Sequence, residues 1–200
     1  MRFNQDKYTQ DRYTKFSELK KIGNWPPPDW ILSIKPIWPE IKKLGDNIVG
    51  CEIGVNFGIS LICSLDEIPQ ISKVYGIDPY IGVDGIVILS EAKKCFIDNM
   101  NEGYSDRIIF IEKTSDEAAT DIEDESLDYI FIDGLHTYEQ LLADCKNYWS
   151  KIKVGGLFSG HDWPMPELQK AVYEFMHDFN IPREKLKITG NNEIWYWTKE

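Results

Sequence analysis

The sequence predicts an α/β fold, a doubly wound and mostly parallel sheet of seven strands that closes in a C-terminal antiparallel hairpin. Three observations carry that expectation. From residue 48 onward, short apolar runs alternate with segments whose apolar residues recur at helical spacing, the signature of a parallel sheet covered by helices. The first run, 48–53, opens directly into a turn punctuated by Gly54 and Gly58. At the far end, 186–189 and 193–198 flank Gly190-Asn191-Asn192, a tight-turn sequence between alternating runs.

Taken in order, residues 1–47 differ in texture and read as an N-terminal helical and aromatic cap, with 48–200 as the main domain. Tyr8, Tyr13, Phe16 and Leu19 suggest a helix, and Trp25-Pro26-Pro27-Pro28-Asp29-Trp30 an extended break, because consecutive prolines cannot continue one. Its two tryptophans serve either as packing or as a lid. Asp29 can cap a further helical stretch through Leu44 that Pro36 and Pro39 should kink or divide. Strands are expected over 48–53, 73–77, 107–112, 127–132 and 154–159, with helices over 58–66, 89–101, 137–150 and 166–179. In the third helix, Leu141, Leu142, Cys145 and Trp149 form one apolar stripe.

A chain of 200 residues that is 42% hydrophobic and 13% aromatic can bury a substantial core. Its formal charge of −11 argues against broad attraction to nucleic acid or to anionic membrane surfaces, and favours a small neutral or cationic substrate. No apolar run approaches the ~20 residues that span a bilayer. The first seven residues lack a signal-peptide hydrophobic region, so a cytoplasmic location is expected. Cys51, Cys63, Cys95 and Cys145 show no paired close spacing and read as reduced core residues, not as a zinc site.

The residues that carry chemistry begin at the first turn. Glu52 ends an apolar run, and Gly54 and Gly58 leave the main chain bare where strand gives way to helix, so a ligand can lie against backbone N–H groups. Asp78 ends the second run, 78 − 54 = 24 residues after Gly54, close to the ~20-residue spacing at which an acid binds ribose hydroxyls in open parallel sheets. Asn56 stands where the dinucleotide fingerprint requires glycine. Asp133 closes the fourth strand with His136 in the loop beyond, and His161 and Asp162 close the fifth, on the edge where ligands of open sheets bind. Two carboxylates on adjacent strand ends can hold a hard divalent cation and leave positions for substrate hydroxyls.

The spacing acid-x-Gly-x-x-x-Gly-x-Ser, from Glu52 to Ser60, resembles the first motif of class I methyltransferases that use S-adenosylmethionine, and the terminal hairpin is similar to theirs. The pair of motifs Ile132–Glu139 and Gly155–Trp163 resembles, within roughly 48–198, a metal-dependent branch that methylates hydroxyls of sugars and other small molecules. That resemblance implies a Rossmann-like sheet and an amino-acid moiety over Gly54, Asn56, Gly58 and Ser60. It also implies a ribose on Asp78 and an adenine near Ser115, with Pro79 following the ribose acid. Tyr80 either stacks on the base or covers the sheet edge, and Ser115 either contacts the base or caps the next helix. By motif position a magnesium ion would sit on Asp133, His161 and Asp162, although a histidine in place of the usual acid suits zinc, manganese or iron better. His136 remains open among general base, metal ligand and loop residue, and Asp133 between site acid and helix cap. A small hydroxylated acceptor is implied, and the aromatic cap could pack against a second subunit in a homo-oligomer.

Three rivals stay in play. A nicotinamide-dependent dehydrogenase shares the glycine turn and ribose acid, but Asn56 and the hairpin speak against it. A binding protein could keep the fold without the reaction. An oxygenase-like member could hold iron on His136, His161 and either Asp133 or Asp162.

Overall fold

In the computed structural model, residues 33–81 and 89–200 are described. The expected helix around Tyr8–Leu19 and the Trp25–Trp30 break lie outside the described residues. The compact unit that carries the sheet begins at Ile31 and runs to Glu200.

Pro36 and Pro39 divide the stretch before the sheet as their missing N–H groups require. A 3₁₀ turn over Lys35–Ile37 passes into the four-residue helix α1, Trp38–Ile41, and then into a second 3₁₀ turn over Lys42–Leu44. Ile34, Ile37, Trp38 and Ile41 from this stretch are buried against the sheet, and Trp38 Nε1 donates to Ser64 Oγ at 2.8 Å.

Among the described residues seven strands follow: β1 Ile48–Ile53, β2 Ile71–Ile77, β3 Ile108–Ile111, β4 Leu127–Ile132, β5 Ile152–Gly160, β6 Lys187–Thr189 and β7 Ile194–Thr198. Between them lie α2 Ile59–Glu67, α3 Leu89–Asn101, the short α4 Ser115–Ala118, α5 Tyr138–Trp149 and α6 Pro166–Asp178. The sheet order is β3-β2-β1-β4-β5-β7-β6, parallel from β3 to β5 and antiparallel where β7 joins β5 and β6. The expected fold class is thus the observed one, Rossmann-like with a terminal antiparallel hairpin. The strand order reverses between β1 and β4, and a ligand crevice opens at that kind of switch point.

Both faces of the sheet are covered, so alternate residues of one strand feed two cores. Along β4, Ile130 and Ile132 meet Leu141, Cys145 and Tyr148 of α5, while Tyr129 and Phe131 meet Leu61, Leu65 and Phe96 on the other side. The hairpin adds an aromatic wall. Trp195 and Trp197 stack at 5.4 Å, and Phe158 lies 5.2 Å from Trp197 and 5.7 Å from Phe175. Cys51 and Cys145 are buried, and Cys63 and Cys95 are half-buried. Among the described residues no helix is long and apolar enough to cross a membrane.

Strands β2 and β5 each begin two residues before their expected starts. In β5 the reason is visible, since Ile152 pairs with Leu127 and a register shift follows, with Gly155 at φ +85° making the irregular step. Read from sequence, that glycine pair marks a strand's start; folded, it interrupts a strand already under way.

Candidate active site

The C-terminal ends of β1, β2 and β4 sit side by side, with Ile53 paired to Ile77 on one flank and Ile132 on the other. Glu52, Asp78 and Asp133 therefore share one edge. Two main-chain bonds continue the sheet past the strands, from Gly54 N to Ile77 O and from Asp133 N to Ile53 O, both 2.9 Å.

On the β1–β2 side, Gly54 (φ +87°) and Gly58 (φ +71°) take left-handed backbone, the region open to glycine at little cost. Their bareness has a second cause. A Cβ on Gly54 would overlap the carbonyl of Asp133, and one on Gly58 would overlap the Phe96 ring. Gly58 then begins α2, whose second residue, Ser60, donates its hydroxyl to Glu52 Oε1. Glu52 is only 2% exposed. Burial pushes its carboxyl up to about 8, against the lowering bond from Ser60 and with help from the nearby Asp133 charge.

Asp78 ties the turn to the loop after β2. Its Oδ2 accepts from Asn56 N and its Oδ1 from Tyr80 N, each at 2.8 Å. The Tyr80 hydroxyl donates to Asn56 O, and its ring meets Phe110 edge-on at 5.9 Å. Asn56 (φ +49°) and Tyr80 (φ +48°) are both left-handed, a common state for asparagine and a strained one for tyrosine. Pro79, half-buried, carries the chain between the two.

On the β4–β5 side the predicted groups converge. His136 Nε2 lies 3.0 Å from Asp162 Oδ2 and 3.7 Å from Asp133 Oδ1. His161 Nδ1 lies 3.2 Å from Asp162 Oδ2 and 3.6 Å from Asp133 Oδ1. The bonds from Asp133 and Asp162 raise the His136 imidazole to about 10, outweighing its partial burial. For His161 burial opposes the charge, yet Asp162 and Asp133 still hold it above the usual histidine range. Burial would lift Asp162, but the two imidazoles hold it well below the usual carboxylate range. Asp162 itself is left-handed, at φ +56°.

Two sets of donor atoms among the described residues could hold a metal ion, each with its atoms within 4.8 Å of one another: Asp133, His136 and Asp162, and His161, Asp162 and Glu193. His136 thus joins the acids expected to bind metal, and His161 faces a residue that the sequence did not single out. Helix α5 is capped by Thr137, which accepts from Gln140 N at 3.3 Å, so neither Asp133 nor His136 serves as that cap.

Ser115 does not cap the next helix. The cap of α4 is Thr114, in a reciprocal capping box with Glu117. The Ser115 hydroxyl is buried, donating to Asp144 Oδ1 at 2.5 Å and accepting from Gln140 Nε2 at 3.1 Å. Desolvation raises the carboxyl of Asp144, 1% exposed, to about 6. A further residue missed in sequence is Ser33, whose hydroxyl donates to Asp133 Oδ2 at 3.0 Å across a separation of 100 residues. A lone serine in a proline-broken stretch carries no signal of that contact.

With this geometry in place, the comparisons are specific. A family described as a methyltransferase domain matches residues 51–163. The uncharacterized protein y4gI of Sinorhizobium fredii (strain NBRC 101917 / NGR234) is 24% identical over 154 residues, 74% of this chain, and the chain spans only 17% of that relative's length. Among solved structures, a Staphylococcus aureus protein assigned as a caffeoyl-CoA O-methyltransferase superposes with a TM-score of 0.63 at 15% identity, covering 95% of this chain and 91% of its own. The O-methyltransferase NovP gives 0.61 at 19% identity, covering 84% and 77%. At such identities the structural likeness speaks for the fold.

Proposed function

This chain belongs to the methyltransferase-domain family, and from that premise we propose that it transfers a methyl group from S-adenosylmethionine to a hydroxyl of a small molecule, a sugar being the first candidate, with a divalent ion at the acceptor. One observation carries the reading: a single sheet edge brings the Glu52, Gly54–Gly58 and Asp78 half against the Asp133, His136 and Asp162 half, joined by the bond from Asp133 N to Ile53 O at 2.9 Å.

On the first half, the bare turn and Ser60 receive the amino-acid end of the cofactor. Asp78 receives the ribose, since each of its oxygens has a lone pair left after accepting from Asn56 N and Tyr80 N. Tyr80 covers the sheet edge on the base side. Ser115, with its hydroxyl committed to Asp144, is left out of the base contacts. The cofactor supplies a methyl on a sulfonium, so the protein's task is alignment of an acceptor oxygen about 3 Å from that carbon and removal of its proton.

On the second half, Asp133, His136 and Asp162 fit a divalent ion by donor type and mutual distance, and His161 stands next to Asp162. Such an ion, when bound, lowers the pKa of an acceptor hydroxyl. His136 is charged while both carboxylates face it alone. An ion held by all three would displace that proton and take Nε2 as a ligand, so His136 serves there as ligand and not as base. Ser33 fixes the other oxygen of Asp133. The formal charge of −11 supports a small acceptor over nucleic acid, and a cytoplasmic location goes with the reading.

Thermal stabilisation is the test. A ligand at 100 times its Kd raises stability by about 2.7 kcal/mol, so S-adenosylhomocysteine should lift the melting temperature and NAD should not. The opposite pattern would sink the proposal. Methyl transfer to a panel of hydroxylated acceptors, with and without a chelator, then identifies the acceptor and the need for metal.

A further inference from the structure

Glu193 stands at the mouth of the hairpin, one residue before β7, and the surrounding chain fixes where it can reach. Its N–H bonds Thr189 O at 3.1 Å and Gly190 O at 3.2 Å, and its carbonyl accepts from Trp163 N at 3.0 Å. Two residues on, Trp195 Nε1 donates to His161 O at 3.1 Å. The hairpin is therefore stitched to the 161–163 segment at Glu193 and again two residues beyond it. Its carboxylate faces His161 and Asp162, and all three side chains are partly buried. Among the described residues, no hydrogen bond or ion pair takes up that carboxylate.

We propose that His161, Asp162 and Glu193 form a second cation site, suited to a divalent transition-metal ion such as Mn(II), with Asp162 bridging it to the ion held by Asp133 and His136. The bridging rests on the metal-assisted reading given above; the second site itself does not. Two carboxylates against one imidazole leave the triad short of positive charge. A mixed imidazole and carboxylate set suits manganese, iron or zinc better than magnesium, which prefers oxygen and water. A carboxylate common to two triads could serve two ions at once. Glu193 would then be a metal ligand supplied by the hairpin, and the hairpin part of the acceptor's electrostatic environment.

The test titrates Mn(II) alone into the full-length chain, counting bound ions by equilibrium dialysis and following them by electron paramagnetic resonance. Two equivalents are expected, the second broadening the six-line signal through coupling to the first. Glu193→Gln, which preserves shape, should bind one equivalent with an unbroadened spectrum, while Asp162→Asn should weaken both sites at least tenfold. Circular dichroism checks the fold. Should Glu193→Gln unfold, Glu193→Asp takes its place, with the second equivalent weakened at least tenfold. No bound ion in the unmodified protein, or bound ions that survive Glu193→Gln unchanged, overturns the second site, while a single equivalent that Glu193→Gln abolishes overturns only the bridging. Stabilisation by S-adenosylhomocysteine, read on the same protein, is independent of that result, so a failed second site leaves the methyl-transfer reading standing.

Discussion

Strand β5 runs from one kind of environment into another. At Phe158 the side chain is sealed among Phe175, Trp195 and Trp197, and Ser159 satisfies its hydroxyl on Ile130 O at 2.5 Å. Four residues past Phe158, Asp162 holds left-handed backbone between two imidazoles, with another carboxylate beside them. The aromatic wall is held by burial, which outweighs a Trp197 Nε1 donor left without a partner, so its changes act on stability. The rim gathers like charges, strained backbone and a buried acid, arrangements that the rest of the fold must hold in place. Changes there should act on ligand affinity and turnover.

That contrast can be broken in several ways. The largest effect belongs to Asp133→Asn or Asp162→Asn, which should slow methyl transfer by about 10²–10⁴-fold while shifting the melting temperature less than a change in the wall. Equal losses of stability would erase the distinction. Next, Trp197→Ala should cost about 3–5 kcal/mol in denaturant unfolding, the usual penalty for emptying a large aromatic site, since Trp197 is almost fully buried. Asp78→Ala should weaken S-adenosylhomocysteine binding by about 1.5–3 kcal/mol, the worth of hydrogen bonds to a charged group, as calorimetry would read.

A pH profile sharpens the picture. Glu52 binds its proton more tightly folded than unfolded, with its carboxyl raised from an ordinary 4.5 to about 8. Its contribution to stability is therefore fully present below pH 4.5 and is lost as pH rises through about 8. Glu52→Gln should flatten that decline in a series of unfolding curves, and an unchanged slope would count against the buried acid as its source. The smallest effect is expected for Lys42→Ala, which removes the 2.6 Å surface pair with Glu67 and should cost no more than about 1 kcal/mol.

What could be read from the chain before folding follows a physical line. Local signals survived: the apolar runs, the proline breaks, the left-handed turn at Gly190-Asn191-Asn192 and the acids that end β1, β2 and β4 all sit where short-range chemistry puts them. Groups assembled by long-range packing did not. Ser33 reaches Asp133 from 100 residues away, and Glu193 reaches Asp162 only because an antiparallel return lays β7 against β5. Asp144 looks like a solvent-side position of an amphipathic helix, yet α5 turns it inward to Ser115. Thr114 was hidden by the equally good capping chemistry of its neighbour.

The overlap that any side chain at Gly54 would create with the Asp133 carbonyl makes the two halves of this crevice interlocking pieces. A displacement of the loop that greets one reactant must be felt by the acid that greets the other. Any side chain added at Gly54 should therefore be felt as a displacement of Asp133.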